Sequence, residues 1–164
     1  MTVRNKHHWW LENIAISAAM LGLALLLGAN AAIAGECPAD KRGVDVTKPS
    51  TVAAKDVTDK VLASIDLSKE KVALADHQLR IRKLEIKSGG IVPWHSHGDR
   101  PALIYIIQGE IYEYASNCSV PILHKAGDVA AETSGTAHWW KNTGKETVVL
   151  ISADVLHDQT DRNM

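Results

Sequence analysis

Residues 89–109 read GGIVPWHSHGDRPALIYIIQG, and the reading of this stretch decides the fold. Two glycines break the chain ahead of Ile91, and a short run then leads into His95-Ser96-His97. Side chains two apart on a strand point to the same face, so both imidazoles stand on one side, a ready pair of ligands for a divalent metal. Gly98 to Pro101 make a turn, and Leu103 to Gln108 is another run of strand length before Gly109. A His-x-His pair alone is weak evidence, because exposed histidine pairs are common. The flanking sequence has to carry the argument.

Upstream, Leu79 to Ile86 reads as alternating apolar and charged residues, the pattern of a half-buried strand, and Ser88-Gly89-Gly90 ends it. Ile91 to His97 is the next strand. Downstream come strands at Glu110 to Ala115 and at Val120 to His124, the latter closed by Ala126-Gly127-Asp128. Ala137 to Lys141 follows, Asn142-Thr143-Gly144-Lys145 turns the chain, and Thr147 to Val155 is a long apolar strand. Turn signals every ~8–12 residues predict an all-β sandwich or small barrel rather than βαβ units. Val57, Val61, Leu62 and Ile65 have helix-like spacing, but the stretch 57–67 is too short to choose between helix and strand.

About forty residues after the first pair, Gly127 to Asn142 (GDVAAETSGTAHWWKN) places His138 in the strand after a glycine turn. The two segments together resemble the paired motifs of the cupin superfamily. Gly89, His95, His97 and Gly109 match the first motif; Gly127, Gly135, His138 and Asn142 match the second. The resemblance covers residues 79–156 and implies a cupin-type jelly-roll β-barrel, expected over 71–164, with residues 35–70 as an N-terminal arm. There are two departures. Thr133 stands where the family has proline, and Ala102 stands where it has a glutamate ligand.

The resemblance therefore implies a metal site of His95, His97 and His138 without the glutamate. Three neutral imidazoles leave a divalent ion its full charge, which favours an anionic ligand and Lewis-acid work, or a substrate held beside dioxygen. Asp99, two residues after His97, is a candidate substitute ligand. Imidazole donors leave Zn, Cu, Fe or Mn open as the single divalent transition metal. Arg100 is a candidate for receiving an anionic substrate, its planar fork matching a carboxylate; its alternative is a surface residue before Pro101. Trp140 shares the parity of His138 and is expected as pocket wall or core, with Trp139 facing outward. Ile104 and Ile106 share the parity of Ala102, so the barrel interior reads as apolar and confined. Tyr105, Tyr112 and Tyr114 are further hydroxyl candidates, and His77, His124 and His157 read as surface or structural.

The chain has 164 residues, 46% of them apolar and none of them Phe, with 18 Lys+Arg against 19 Asp+Glu. That is one domain plus a short extra segment, too apolar for a disordered chain and too evenly charged for a nucleic-acid partner. Arg4 and Lys6 precede an uncharged apolar run from Ile14 to Ala29, and Ala32-Ile33-Ala34 supplies the small-x-small exit. This is the pattern of a secretory signal peptide over residues 1–34, with an uncleaved membrane anchor as the rival. Cleavage predicts a periplasmic or secreted protein, with no membrane partner afterwards, whose Cys37 and Cys118 form a disulfide. Asn117-Cys118-Ser119 also reads as a glycosylation sequon marking a turn.

Three function classes remain. The first is a metal-dependent enzyme, an oxygenase or a lyase/isomerase, on a small anionic metabolite. The second is a non-catalytic periplasmic protein that binds a small ligand or holds metal. The third is a structural role in which the histidines simply pack. On the family resemblance, a homodimer is expected, paired through strand edges and exposed apolar residues.

Overall fold

The structure is a computed structural model and describes residues 35–157. The expected signal peptide lies outside the described residues. Eight strands follow in chain order: β1 (Lys55–Asp66), β2 (Gln78–Ser96), β3 (Ala102–Gln108), β4 (Glu110–Ala115), β5 (Ile122–Lys125), β6 (Val129–Glu132), β7 (Ala137–Lys141) and β8 (Val148–Leu156). They make one antiparallel sheet ordered β5-β4-β7-β2-β8-β3-β6, with β1 added alongside β2. The sheet curls into a nearly closed jelly-roll barrel, as the turn spacing predicts. Among the described residues the only helical pieces are the 3-10 turns Ala39–Lys41 and Leu67–Lys69.

Four local readings are settled or revised. Residues 55–66 are a strand, and Val61, Leu62 and Ile65 are about half exposed on it, so their helix-like spacing served no buried face. Ser88-Gly89-Gly90 bends a strand instead of ending one, because β2 runs unbroken for 19 residues. Gly89 has φ +75°, and a Cβ on Gly90 would sit 2.7 Å from Ile86 Cγ2. Only glycine permits that conformation and that approach. At this bend β2 changes partner, from β8 over Gln78 to Ile86 to β7 over Ile91 to Ser96. The fifth strand starts at Ile122 instead of Val120, and Ala-rich β6, too short to show a period, went unread.

The fourth change is the most consequential. The alternation in Leu79 to Ile86 slips at Arg82-Lys83, and the barrel resolves it in favour of the later residues. Leu84 and Ile86 point inward with Arg82, while Leu79 and Ile81 stay exposed at 42% and 38%. The inward arginines meet carboxylates. Asp154 on β8 accepts from Arg80 Nε (3.0 Å) and Nη2 (2.7 Å) and pairs with Arg82 Nη2 (3.1 Å). Asp59 on β1 binds Arg82 Nη1. A buried charge survives only when paired in this way.

Leu84, Ile86, Val92, Ile104, Ile106, Ile111, Ala130, Trp140, Val148 and Leu150 form the main core. Asn142, fully buried, donates through Nδ2 to Ile86 O (2.9 Å) and Glu146 O (2.8 Å), stapling the β7–β8 turn onto β2. Cys37 and Cys118 are disulfide-bonded, as expected for an oxidising compartment. The bridge holds residues 35–47 against the barrel, where Gly43 N donates to Asn117 O and Val46 N to Ser116 O.

Candidate metal centre

His95 on β2 and His138 on β7 are directly opposed in the antiparallel register, and His97 follows at the strand end. All three are buried, at 6%, 1% and 0% exposure for His95, His97 and His138. Their Nε2 atoms converge: His95 to His97 is 3.2 Å, His97 to His138 is 3.0 Å, and His138 to His95 is 3.0 Å. The outward nitrogens are all engaged. His95 Nδ1 donates to Pro93 O (2.9 Å), His97 Nδ1 to Arg100 O (2.8 Å) and His138 Nδ1 to Glu113 Oε1 (2.7 Å). With each proton on Nδ1, three lone pairs face one point. That arrangement is repulsive unless a cation is shared at that point, either a metal ion or a proton on one Nε2. These separations are short enough for one ion at ~2.1 Å from each nitrogen, so His95, His97 and His138 would hold a divalent metal together.

Burial pushes His95 down to about 2, and the neighbouring His138 charge adds to it. His97 is lowered to about 4 for the same two reasons. Both are therefore neutral and able to ligate at ordinary pH. His138 differs: burial opposes its charge, but Glu132 and Glu113 outweigh that and raise it.

The two carboxylates behind His138 were not anticipated from the sequence. Glu113, 3% exposed, accepts from His138 through Oε1 and from His124 Nε2 through Oε2 (2.8 Å). Burial raises its carboxyl, but the bonds to His124 and His138 prevail and hold it at about 2. Glu132 Oε1 lies 3.5 Å from His138 Nδ1, and burial with the Glu113 charge pushes it up to about 7 despite His138. Ala102, in place of the family glutamate, has Glu132 as its cross-strand partner on β6 and Asp154 on β8. Negative charge is thus restored behind a ligand rather than at the metal. His124 belongs to this network, buried at 1%, and is not a surface residue. The signal was legible in principle: Glu113 has the parity of Ile111 and Ala115, Glu132 that of Ala130, and His124 that of Ile122.

Asp99 does not substitute as a ligand. Its side chain is 70% exposed and faces His157 Nδ1 at 3.8 Å. Arg100 is buried at 1%, not in a surface turn, and its charge lowers all three histidines. Trp140, 2% exposed, lies edge-on to His138 (5.5 Å between centroids) and beside His124 (4.7 Å). Trp139 faces the other way and stacks on Tyr114 at 4.0 Å. Tyr105 is on the outer face, 47% exposed, and His77 stacks on His157 at 4.5 Å.

Two cavities approach the centre. A small one of about 20 Å³ is lined by His95, His97, Arg82, Ser152, Trp140 and apolar side chains including Ile104. The interior is apolar and confined here as expected, with the unexpected addition of Arg82 and Ser152. A larger one of about 460 Å³, between β4–β5 and β6 and lined also by Glu36, Cys37 and Arg42, reaches Glu113 and Glu132 but not His95 or His97. The small cavity is the one that bears on metal chemistry.

Residues 82–154 match the family model of the cupin domain, Cupin_2, which supports the cupin reading of the barrel. Among solved structures the chain is similar to the cupin domain of Schizosaccharomyces pombe Cnp3, at 20% identity over 66% of each chain and a TM-score of 0.48. It is also similar to a conserved protein with a double-stranded β-helix domain from Klebsiella pneumoniae subsp. pneumoniae, at 19% identity, covering 69% of this chain and 85% of that one, TM-score 0.49. KdgF from Halomonas sp. matches at 13% identity, 67% of this chain and 90% of that one, TM-score 0.48. No curated protein matches the chain.

Proposed function

We propose that this chain is an exported enzyme that binds one divalent transition metal through His95, His97 and His138 and acts on a small anionic molecule, as an oxygenase or a lyase/isomerase. The observation that carries the proposal is the convergence of three Nε2 atoms at 3.0–3.2 Å with every Nδ1 engaged elsewhere. An all-imidazole donor set suits Zn, Cu or Fe better than Mn. Bound there, such an ion supplies Lewis-acid polarisation and lowers the proton affinity of its ligand.

The protein's own residues do the rest. Glu113 fixes the tautomer and direction of His138 and raises its basicity, as a carboxylate behind a metal-ligating histidine does. Leu84, Val92, Ile104, Leu150 and Trp140 give the small cavity dry walls, which strengthens every charge interaction inside. About 20 Å³ is room for one water-sized group, so the group that reaches the metal is small. The buried Arg100 favours an anion. A purely storage site would need no polar group in this wall; Arg82 and Ser152 favour a site that takes a ligand. The Cys37–Cys118 disulfide supports folding outside the cytoplasm.

The proposal includes a homodimer. Leu79, Ile81, Leu103, Tyr105, Ile107 and Val129, between 38% and 56% exposed, lie on the outer face of neighbouring strands β2, β3 and β6 with β8 between β2 and β3. Together they make a contiguous exposed apolar face that could supply part of the ~800 Å² each partner contributes to a standard interface.

The test is the metal content of protein purified after export without chelator, beside a His95→Ala/His138→Ala variant. About one equivalent, lost in the variant, is expected. No bound metal and no uptake on titration would overturn the proposal.

A further inference from the structure

Arg82 carries a feature that the salt-bridge network does not use. The side chain is 5% exposed and three of its contacts are accounted for. Nη1 binds Asp59, and Nη2 lies 3.1 Å from Asp154 Oδ2 and 3.3 Å from Ser152 Oγ. Nε is buried and has no hydrogen-bond partner among the described residues. Native interiors rarely leave such a donor unsatisfied, and an exception points to a water or ligand that belongs there. Arg82 lines the same small cavity as His95 and His97. The remaining walls are apolar apart from Ser152, so a polar atom entering this space finds few other donors.

We propose that Arg82 is a binding residue of the metal centre: its Nε–H donates to the small anion, or the anionic oxygen or nitrogen terminus of a larger molecule, that occupies the cavity beside His95 and His97. This rests on the metal-centre reading above and adds the second anchor to it. The role is specific to Nε. Asp59 and Asp154 already balance the guanidinium charge through the Nη atoms, so the ligand gains a directed hydrogen bond rather than an ion pair. A cation without an Nε–H at this position would keep the charge and lose the bond. Two anchors, the metal and Arg82, would hold the one terminal atom that enters this space in a single orientation, whereas a metal alone leaves it free to rotate.

The experiment uses the exported protein loaded with Co²⁺, titrated with azide and with formate, and followed through the cobalt visible spectrum. The comparison is Arg82→Lys. Azide binding is expected to weaken about tenfold in the variant while cobalt affinity and far-ultraviolet circular dichroism stay unchanged. Equal azide affinity in folded Arg82→Lys would overturn this proposal alone. Failure of the wild-type protein to take up cobalt would overturn the metal centre as well. If Arg82→Lys does not fold, the zinc-loaded wild-type protein, labelled with ¹⁵N-arginine, answers the same question. Azide should then shift an arginine Nε–H resonance, and a spectrum in which none moves overturns the proposal.

Discussion

Replacing Glu113 by Gln tests how this barrel manages without a carboxylate ligand. Glu113 Oε1 stands 2.7 Å from His138 Nδ1, and its other oxygen stands 2.8 Å from His124 Nε2. Gln is nearly isosteric and keeps the carbonyl acceptor toward His138. Its amide would donate to His124, which can move its own proton to Nδ1, an atom with no partner among the described residues. Packing and hydrogen-bond count are thus preserved, and only the charge is removed. A hydrogen bond to a charged group contributes about 1.5–3 kcal/mol and a neutral one about 0.5–1.5 kcal/mol, a difference of about 1–2 kcal/mol. That corresponds to about a 5–30-fold loss of metal affinity, overlapping the lower part of the ~10–100-fold range seen when partners of metal-ligating histidines are altered. Glu132, 3.5 Å from the same nitrogen, keeps the effect toward the lower end. The assay is competition with a chromophoric chelator at pH 7.5, with the exposed Glu146→Gln as control. Affinity within twofold of wild type in a folded Glu113→Gln protein would refute the reasoning, because the carboxylate would then contribute nothing through His138.

Asp154→Asn leaves Arg80 and Arg82 without the anion they share at 2.7 and 3.1 Å, and breaking a buried pair costs about 3–5 kcal/mol. For a barrel of this size that lowers Tm by ~12–20 °C in calorimetry; a shift under ~4 °C would show the network to be dispensable. In metal-free protein, acidification from pH 6.5 to 4.5 should destabilise the fold. His95 and His97, held at about 2 and about 4, refuse protons that the unfolded chain accepts, while Glu132, at about 7, retains one that it releases. His138, raised, keeps a proton that the unfolded chain carries only in part near pH 6.5, which flattens the upper end of the window, and Glu113, held at about 2, refuses a proton that the unfolded chain takes up near pH 4.5, which steepens the lower end. Unfolding then takes up one net proton, so stability falls by about 1.4 kcal/mol per pH unit, and a Tm that is flat or rising toward pH 4.5 would contradict it. Light scattering at micromolar concentration should find the wild-type protein as the proposed dimer and Leu103→Glu together with Ile107→Glu as a monomer; a wild-type monomer would remove the apolar face as an interface.

Much of the site was legible because strand geometry is a local rule. His95 and His97 share a face by parity alone, and the spacing to His138 is recognisable without knowing the path between them. The same parity rule, applied to every strand, would have exposed Glu113, Glu132, His124 and Asp154 as polar residues on the inward side. It misled at Leu79 to Ile86 because the alternation slips there, and a slip of one residue exchanges the faces of everything beyond it. The arginines were read as solvent-facing for that reason.

What sequence determined by itself was most of the strands, the two glycine-flanked histidine segments and the cysteines available to pair. Each depends on chemistry within a few residues or on fixed spacing. Tertiary structure alone decided which carboxylate meets which cation. Asp154 finds Arg80 and Arg82 across seventy residues, Ala102 lies between Glu132 and Asp154, and Arg82 rather than Arg100 lines the space beside His95 and His97. These pairings follow from which strands become neighbours when the sheet closes. A charge is indifferent to sequence distance once burial has removed the water that would otherwise screen it.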